Sequence, residues 1–352
     1  MRIDDNSIRI NRELCVACGI CVDRCIMDNL RLSIAPCRQV CPVSMNCQGY
    51  IRLIGLGKEE EAVEELKPFG PLVSYIAENC SAPCESACTR KKRDGAVHIL
   101  ELKRYLSRKY EAELCSLDQP EQKTGKSVAV IGSTIQGLAA ALKAFQAGHT
   151  VSVFSRAGDR DAADAALQTI LESLKKADVA VHDQSALDSL KNNSASYDAI
   201  ILSEMDDLVR IQAGSAEADA FTHQVTGNIF CCVTGKEKKT GGVYLINGAF
   251  ETVESLNRCL NNEPLDWGRG LYTQGGAVKE FQVDQRVGSD VARLPEEEIK
   301  AGLTAESAKE QASRCFSCGR AFEKNQTCWY CLPCELECPH EALEVRIPYL
   351  VR

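Results

Sequence analysis

The sequence has no long apolar run, no excess of positive charge and no leader-like start. No stretch of the 352 residues approaches the roughly 20 apolar residues that a membrane helix needs, so we expect no membrane span. The formal net charge of −8 offers no basic surface of the kind that binds nucleic acid. The segment from Met1 to Asp5 lacks the apolar core and cleavage site of a signal peptide, which predicts a cytoplasmic protein. The chain also has no P-loop, nucleophile elbow or zinc-hydrolase helix.

Cysteine is abundant instead, with 20 residues, and most of it falls in patterned groups. Two runs at opposite ends of the chain share the spacing Cys-x2-Cys-x2-Cys-x3-Cys: Cys15, Cys18, Cys21 and Cys25, and Cys328, Cys331, Cys334 and Cys338. In bacterial ferredoxins, three cysteines of such a run hold one [4Fe–4S] cube and the fourth reaches the partner run's cube. The two runs therefore resemble the halves of a two-cluster ferredoxin.

This resemblance implies two cubes with exchanged fourth ligands. The expected sets are Cys15, Cys18, Cys21 and Cys338, and Cys328, Cys331, Cys334 and Cys25. Structural zinc is the alternative, and it is disfavoured because zinc sites pair short Cys-x2-Cys knuckles across a spacer. Cubes in this number are oxygen-labile, which suggests an anaerobic or microaerobic host.

The remaining pattern predicts an α+β multidomain chain. We expect a ferredoxin half at residues 1–34, a helical iron–sulfur domain at 35–118, an α/β domain at 126–264, an irregular connector at 265–302, and a Cys-x2-Cys motif with the second ferredoxin half at 303–352. We expect the two chain ends to dock as one ferredoxin-like lobe, because neither half can bury its apolar face alone.

Local patterns predict several elements within these segments. Ser127–Ile131, Leu138–Ala147 and Thr150–Phe154 form a strand–helix–strand unit that is typical of α/β proteins. Gly242–Ile246 is predicted as a further strand, and the basic run Arg90–Arg93 as a solvated face or docking rim.

The histidines have no spacing partners for a metal or acid–base role. His149 resembles the Gly-His turn common in the α/β unit. The others, such as His98, are expected on the surface or in loops.

Several motifs are similar to those of a known family. They are Pro36-Cys-Arg-Gln-Val-Cys-Pro42, Gln48-Gly-Tyr-Ile51, Cys80-Ser-Ala-Pro-Cys-Glu-Ser-Ala-Cys88 and Leu102-Lys-Arg104. They resemble the N-terminal iron–sulfur domain of the glutamate synthase small subunit family, which includes dihydropyrimidine dehydrogenase and flavin-based electron-bifurcating transhydrogenases. Val128-Ala-Val-Ile-Gly132 with Gly137-Leu-Ala-Ala140 resembles the start of that family's flavin-binding domain. The resemblance covers residues 35–160 well and residues 160–260 faintly.

The flavin-binding part departs from the family pattern. Gly132 and Gly137 remain as a candidate FAD turn, but Thr134 stands where the backbone must approach a pyrophosphate closely. Ser155 and Arg156 replace the acidic residue that would bind the ribose hydroxyls. The family's inserted NADPH-binding domain has no counterpart. We therefore expect a degenerate Rossmann-like domain without NAD(P), and we favour the loss of FAD, with retained FAD as the alternative.

The family resemblance also implies ligands for two more cubes. The upstream Cys-x2-Cys of the family is missing, and a similar Arg-Cys-x2-Cys-Gly sequence stands at Arg314–Gly319. The implied sets are Cys37, Cys88, Cys315 and Cys318 for one cube, and Cys41, Cys80, Cys84 and a fourth ligand for the other. Cys47 is the first candidate for that ligand and Glu101 the second, while a buried core cysteine is the alternative role for Cys47. Four cysteines are left with structural roles: Cys115, Cys231, Cys232 and Cys259.

These features predict an iron–sulfur electron-transfer subunit with about four [4Fe–4S] clusters. The expected partners are a catalytic oxidoreductase subunit, of the tungsten, molybdenum or hydrogenase type, and another redox protein. A flavoprotein that splits electron pairs is the alternative enzyme, and a scaffold with structural cubes is a third class.

Overall fold

The computed structural model describes residues 7–156, 159, 164–185, 196–204, 217–232, 242–266, 288–324 and 328–346. The chain divides into two units. The cysteine-rich unit comprises Met1–Pro68, Ser81–Lys109 and Gly276–Arg352. The α/β unit comprises Phe69–Cys80 and Tyr110–Gly275. No helix in the described segments has the length and apolar character needed to cross a membrane.

The strands are short. They are β1 (Ile8–Ile10), β2 (Leu30–Ser33), β3 (Ser127–Ile131), β4 (Thr150–Phe154), β5 (Ala180–His182), β6 (Ala199–Leu202), β7 (Gln224–Thr226), β8 (Ile229–Cys231), β9 (Arg320–Glu323) and β10 (Leu343–Val345).

The helices of the described segments range from single turns to five turns. They are α1 (Ile20–Asp23), α2 (Pro36–Gln39), α3 (Cys47–Gly55), α4 (Glu59–Glu64), α5 (Leu72–Asn79), α6 (Pro83–Ser86), α7 (Ile99–Lys109), α8 (Glu111–Cys115), α9 (Ile135–Gln146), α10 (Ala165–Lys176), α11 (Gly242–Leu260), α12 (Glu296–Lys300), α13 (Ala305–Ser313) and α14 (Pro333–Leu336). Two 3-10 helices lie at Lys67–Phe69 and Thr89–Lys92.

The two chain ends meet in the cysteine-rich unit. Strand β1 pairs antiparallel with β10, and β2 pairs antiparallel with β9, so each ribbon takes one strand from each end. Ile8, Leu30, Leu343 and Val345 pack into one small apolar core between them. A single two-stranded ribbon is marginal in water, and joining the two ribbons over a shared core gives each a buried face.

Helix α3 is the centre of the helical part of this unit. Its residues Tyr50, Ile51, Leu53 and Ile54 are fully buried, and α4, α7 and α13 pack against it. Asn46 caps its first turn by accepting a hydrogen bond from Gly49 N. The segment after residue 303 is thereby held against the segment that follows the first cysteine run.

The α/β unit contains a six-stranded sheet in the order β5-β4-β3-β6-β8-β7. All neighbouring strands are parallel except β7, which pairs antiparallel with β8. Helices α9 and α11 pack against each other beside it. The chain is thus an α+β protein, as predicted, and its parallel sheet is compatible with a Rossmann-like domain.

One element differs from the sequence prediction. Gly242–Ile246, which was expected as a strand, is the first part of helix α11. The β-branched and aromatic residues favoured a strand locally. However, the buried side chains Val243, Ile246, Ala249 and Val253 recur at helical spacing, and burial of that long apolar face decides the conformation.

The prediction of a solvated face for the basic run is wrong at one residue, because Arg90 is 1% exposed whereas Lys91, Lys92 and Arg93 are exposed. His98 lies in a loop before α7, as expected, but its side chain is buried. Arg90 donates to the carbonyl of Arg314, and His98 Nε2 contacts the carbonyl of Leu294 at 3.0 Å. These long-range partners satisfy the buried polar groups, and no local sequence pattern announces them.

Candidate metal centre

The first four-cysteine group joins the two chain ends. Cys15, Cys18, Cys21 and Cys338 line one pocket, together with Gly19 and Pro339 at the same loops. Burial first, and then the nearby thiolates of Cys18, Cys15 and Cys338, together raise the pKa of Cys21 to about 12. A bound metal would stabilise the thiolate form of such thiols.

The second group is the counterpart of the first. Burial first, and then the nearby thiolates of Cys25, Cys328 and Cys331, together raise the pKa of Cys334 to about 11. The thiol of Cys331 is exposed, whereas that of Cys334 is buried. The structure therefore places the fourth cysteine of each run beside the first three cysteines of the other run.

The fourth cysteines of the two runs share a further contact. Cys25 Sγ accepts a hydrogen bond from Asn29 N at 3.3 Å, and Cys338 Sγ accepts one from Ala342 N at 3.3 Å. Both donors lie four residues after the sulfur. The repeated contact indicates the same local geometry in the two halves, and amide donors to sulfur are among the features that tune iron–sulfur clusters.

The Cys-x2-Cys loops also share a backbone conformation. The residue before the second cysteine has positive φ at Ala17 (57°), Ser317 (47°) and Tyr330 (55°). In two of these loops that residue's amide donates to the first cysteine, from Tyr330 N to Cys328 Sγ at 3.4 Å and from Ser317 N to Cys315 Sγ at 3.5 Å. Left-handed backbone at non-glycine residues costs energy, so its recurrence in three Cys-x2-Cys loops indicates that these loops have the same function.

A third group combines the helical segment with the C-terminal motif. Cys37, Cys88, Cys315 and Cys318 line one pocket. Burial raises the pKa of Cys318 to about 11, and Thr89 Oγ1 lies 2.9 Å from its sulfur.

A glutamine side chain holds this C-terminal loop. Gln48 on α3 is 1% exposed and donates to the carbonyl of Gly319 at 2.7 Å, while Gly319 N donates back to it.

Two buried arginines support this third group. Arg314, next to Cys315, is fully buried and donates to the carbonyls of Val291, Ala96 and Gly95. The Arg90 guanidinium lies 4.8 Å from the ring centre of Phe316, a lining residue of the pocket.

Asp94 connects the two arginines. It accepts hydrogen bonds from Arg90 Nε at 2.5 Å and from Arg314 Nη2 at 3.0 Å. Its pKa falls to about 2, first because of the hydrogen bond from Arg90. Sequence reasoning missed this network, although Arg314 stood in the Arg-Cys-x2-Cys-Gly motif.

The fourth group centres on Cys47. Its thiol lies within hydrogen-bonding reach of Cys37, Cys41 and Cys84, and these contacts raise its pKa well above the ordinary value. The same contact is the largest cause that lowers the pKa of Cys41 to about 6. Lys103, which is 2% exposed, places a positive charge near Cys41 and contributes to this lowering.

Cys80 and Glu101 are the other two candidate ligands for this cube. Within the cysteine-rich unit this fourth group consists of Cys41, Cys47 and Cys84. Cys80 directly follows α5 and is the last residue of the segment Phe69–Cys80, which belongs to the α/β unit. Glu101, the second candidate for the fourth ligand, forms an ion pair with Arg104 on the same helix.

The four remaining cysteines have partners of other kinds. Cys231 belongs to the apolar core of the sheet, and burial raises the pKa of Cys232 to about 12. Cys259 Sγ lies 3.5 Å from Asn228 Oδ1, and Cys115 contacts Ser173. These contacts are consistent with structural roles.

Among the described residues, no three Cys, His, Asp or Glu side chains converge on a point suited to a single metal ion. A zinc site needs its donor atoms about 2.0–2.3 Å from one ion. A cube instead binds each thiolate at a different iron, so its ligands stand further apart. Cysteines that line one pocket without converging on one point are compatible with a cube.

The candidate FAD turn lies between β3 and α9. Gly132 has φ of 102°, and a Cβ on Gly137 would meet the Gly132 carbonyl at 2.0 Å, so both glycines are required by the turn itself. Thr134 caps α9, and its hydroxyl accepts a hydrogen bond from Gly137 N at 3.5 Å. Ser133 N donates to Asp159 Oδ2 at 2.7 Å. Sequence reasoning did not single out Asp159, which lies 26 residues from Ser133.

Known proteins resemble the first part of the chain. Residues 21–114 match the family described as dihydropyrimidine dehydrogenase domain II, 4Fe-4S cluster. The chain is 36% identical over 118 residues to the glutamate synthase [NADPH] small chain of Bacillus subtilis, which covers 33% of this chain and 24% of that one. It is 32% identical over 122 residues to the NADPH-Fe(3+) oxidoreductase subunit beta of Geobacter sulfurreducens, covering 34% of this chain and 18% of that one.

A third relative extends the match slightly. The glutamate synthase [NADPH] small chain of Mycobacterium tuberculosis is 29% identical over 154 residues, which covers 44% of this chain and 29% of the relative. The chain thus spans less than a third of the length of these relatives. Residues 21–114 thus match a 4Fe-4S domain of the kind found in dihydropyrimidine dehydrogenase, and this part of the chain is similar to glutamate synthase small chains.

Proposed function

We propose that this chain is the iron–sulfur electron-transfer subunit of a multisubunit oxidoreductase that works under anaerobic conditions. It holds about four [4Fe–4S] cubes, each of which takes up and releases a single electron when bound. The observation that carries the proposal is the exchange of fourth cysteines between the chain ends, with Cys338 beside Cys21 and Cys25 beside Cys334. Such an exchange is the ligand pattern of two-cluster ferredoxins.

The proposed ligands follow the four cysteine groups. They are Cys15, Cys18, Cys21 and Cys338; Cys328, Cys331, Cys334 and Cys25; Cys37, Cys88, Cys315 and Cys318; and Cys41, Cys80, Cys84 and Cys47. The contacts of Cys47 with Cys41 and Cys84 favour it over Glu101, whose carboxylate is engaged by Arg104.

The chain's own polar groups set the electrostatics of these sites. Thr89 and the amides of Asn29 and Ala342 contact cysteine sulfurs, and Lys103 places a buried positive charge near Cys41. Hydrogen bonds and nearby cations stabilise the extra negative charge of a reduced site. The buried charge of Lys103 therefore distinguishes the helical group around Cys41 from the groups at the two chain ends, whose sulfurs accept hydrogen bonds from amides. Sites that differ in this way suit a relay of single electrons.

The names of the relatives support a place in a larger complex. One relative is a beta subunit of an NADPH-Fe(3+) oxidoreductase, and two are small chains of glutamate synthase. The proposed partners are a catalytic subunit of the tungsten, molybdenum or hydrogenase type and a further redox protein. We place the complex in the cytoplasm, a reducing compartment that keeps cysteine thiols available as cluster ligands.

Iron and sulfide analysis of anaerobically purified protein tests the proposal. About sixteen irons per chain, with an electron paramagnetic resonance signal after dithionite reduction, is the expected result. Eight irons or fewer, or zinc in place of iron, contradicts it.

A flavoprotein that splits electron pairs is the second candidate. The strand–turn–helix at Gly132 and the parallel sheet favour it, because flavin domains use that arrangement. Release of about one FAD per chain on acid treatment would support this second candidate. The first candidate predicts no flavin.

A further inference from the structure

The turn between β3 and α9 carries an unusual hydrogen-bond acceptor. In dinucleotide-binding domains the backbone amides of this turn, at the N-terminus of the following helix, bind the pyrophosphate. Here the amide of Ser133 donates to Oδ2 of Asp159 at 2.7 Å. The Asp159 side chain is 3% exposed, so its carboxylate is buried in the turn.

The same carboxylate also engages Arg156, which follows β4. Arg156 N donates to Asp159 Oδ2 at 3.0 Å, and Arg156 Nε donates to Oδ1 at 2.7 Å. Burial alone would raise the pKa of Asp159, but the hydrogen bonds from Arg156 and Ser133 lower it overall. The carboxylate is therefore a charged, fully bonded group near neutral pH.

Arg156 is itself held by two acids. It follows the second strand, the region from which dinucleotide-binding domains contact the ribose or its 2′-phosphate. Besides Asp159, its Nη1 donates to Glu204 Oε2 at 3.0 Å. An arginine between two carboxylates offers little net charge to an incoming phosphate.

The rest of the turn is closed by short contacts. A Cβ on Gly132 would meet Ser203 Oγ at 2.0 Å, so the backbone lies directly against the end of β6. The hydroxyl of Thr134 caps α9 by accepting a hydrogen bond from Gly137 N. These residues do not fit a dinucleotide phosphate without displacement of Asp159.

We propose that Asp159 is a built-in anion that takes the place of a cofactor phosphate and closes the α/β unit to FAD and NAD(P). The chain thereby supplies from its own sequence the negative charge that is favourable at a helix N-terminus. The inference concerns the α/β unit alone and does not depend on the iron–sulfur assignment. Removal of the Asp159 carboxylate should convert the turn into a site for a free anion.

Hydrogen exchange of the anaerobically purified full chain tests this inference, followed by mass spectrometry of peptides that cover residues 132–137. In Asp159→Ala we expect exchange in this segment to accelerate about tenfold, because the Ser133 amide loses its acceptor. Millimolar inorganic pyrophosphate, compared with chloride at equal ionic strength, should slow it again in this variant and leave the wild type unchanged. Asp159→Asn, which keeps the shape and one oxygen, should lie between the two and covers the case that the alanine variant fails to fold.

Asp198→Ala is the matched control. Asp198 Oδ2 accepts from Ser127 N at 2.8 Å at the start of β3, so this variant also loses an acidic cap on a backbone amide. Its exchange should rise near residue 127 and should not respond to pyrophosphate.

Three outcomes would overturn the inference. The first is FAD or NAD(P) bound to the wild-type protein at about one per chain. The second is equal protection of wild type and variants by pyrophosphate. The third is exchange in both Asp159 variants at the wild-type rate, or a faster rate that pyrophosphate does not reduce.

Discussion

The two units differ in what surrounds their turns with positive φ. Each contains turns with positive φ that resemble cofactor sites, such as the one at Ala17 in the cysteine-rich unit and the one at Gly132 in the α/β unit. Around the first, four cysteine thiols line one pocket. At the second, Asp159 accepts a hydrogen bond from the amide of Ser133. The turn at Ala17 thus lies beside thiols that suit an external group, whereas a side chain of the same protein occupies the turn at Gly132.

The units also differ in how they are stabilised. The sheet of the α/β unit buries a continuous apolar core that includes Ala129, Ile131 and Leu202. The lobe of the chain ends has two two-stranded ribbons over a core of a few side chains, with Trp329 and Leu336 largely exposed. Small domains with limited cores are commonly stabilised by metals or cross-links.

Iron removal should separate the units most clearly. We expect chelation under reducing conditions to raise hydrogen exchange in β1, β2, β9 and β10 by at least about a hundredfold, because metal binding and folding are coupled there. Exchange in β3 and β6 should change less than about threefold. Equal acceleration in both units would show that the α/β unit depends on the clusters as well.

Loss of one exchanged cysteine should remove the other run's cube. Cys25→Ser should reduce the iron content by about four atoms per chain and should damage the site of Cys328, Cys331 and Cys334. Cys259→Ser, which alters a cysteine outside the four groups, should keep the full content. Spectroscopic loss of the cube at Cys15, Cys18 and Cys21 in the Cys25 variant would contradict the exchange.

The buried arginines should matter more than exposed cations. Arg314→Met removes the Arg314 hydrogen bonds to the carbonyls of Val291 and Gly95 and one of the donors to Asp94, which keeps Arg90, and we expect a loss of about 3 kcal/mol in the free energy of unfolding. Lys175→Met, in an exposed pair with Glu172 of the α/β unit, should cost at most about 0.5 kcal/mol. Denaturant titration of the two variants measures the difference. Similar losses would mean that the network adds little to stability.

A single hydroxyl should produce the smallest effect. Thr89→Val removes the contact with the Cys318 sulfur and should make the reduction potential of that site more negative by tens of millivolts, the equivalent of about 1 kcal/mol. Thr169→Val, whose hydroxyl donates only within α10, is the control and should leave all potentials unchanged. Redox titration followed by electron paramagnetic resonance distinguishes them, and an unchanged potential in the Thr89 variant would deny the hydrogen bond a redox role.

Local pattern was sufficient for part of this structure. The strands Ser127–Ile131 and Thr150–Phe154 have the bounds that alternation and apolar runs predict. The same reasoning failed at Gly242–Ile246, where a short run favoured a strand and the face of a 19-residue helix prevailed. Short windows record intrinsic preference, whereas burial of a long face sums over many side chains.

By itself the sequence determined the spacing of the cysteine runs, the parallel α/β pattern and the kinship with a 4Fe-4S domain. Only the tertiary structure decided that Arg90 lies buried with Arg314, that Cys47 contacts Cys41 and Cys84, and that Asp159 meets Ser133. Spacing is a local property that chain geometry constrains directly. Most of these partners are tens to hundreds of residues apart, and they are chosen by which buried polar groups must be satisfied once the core has formed.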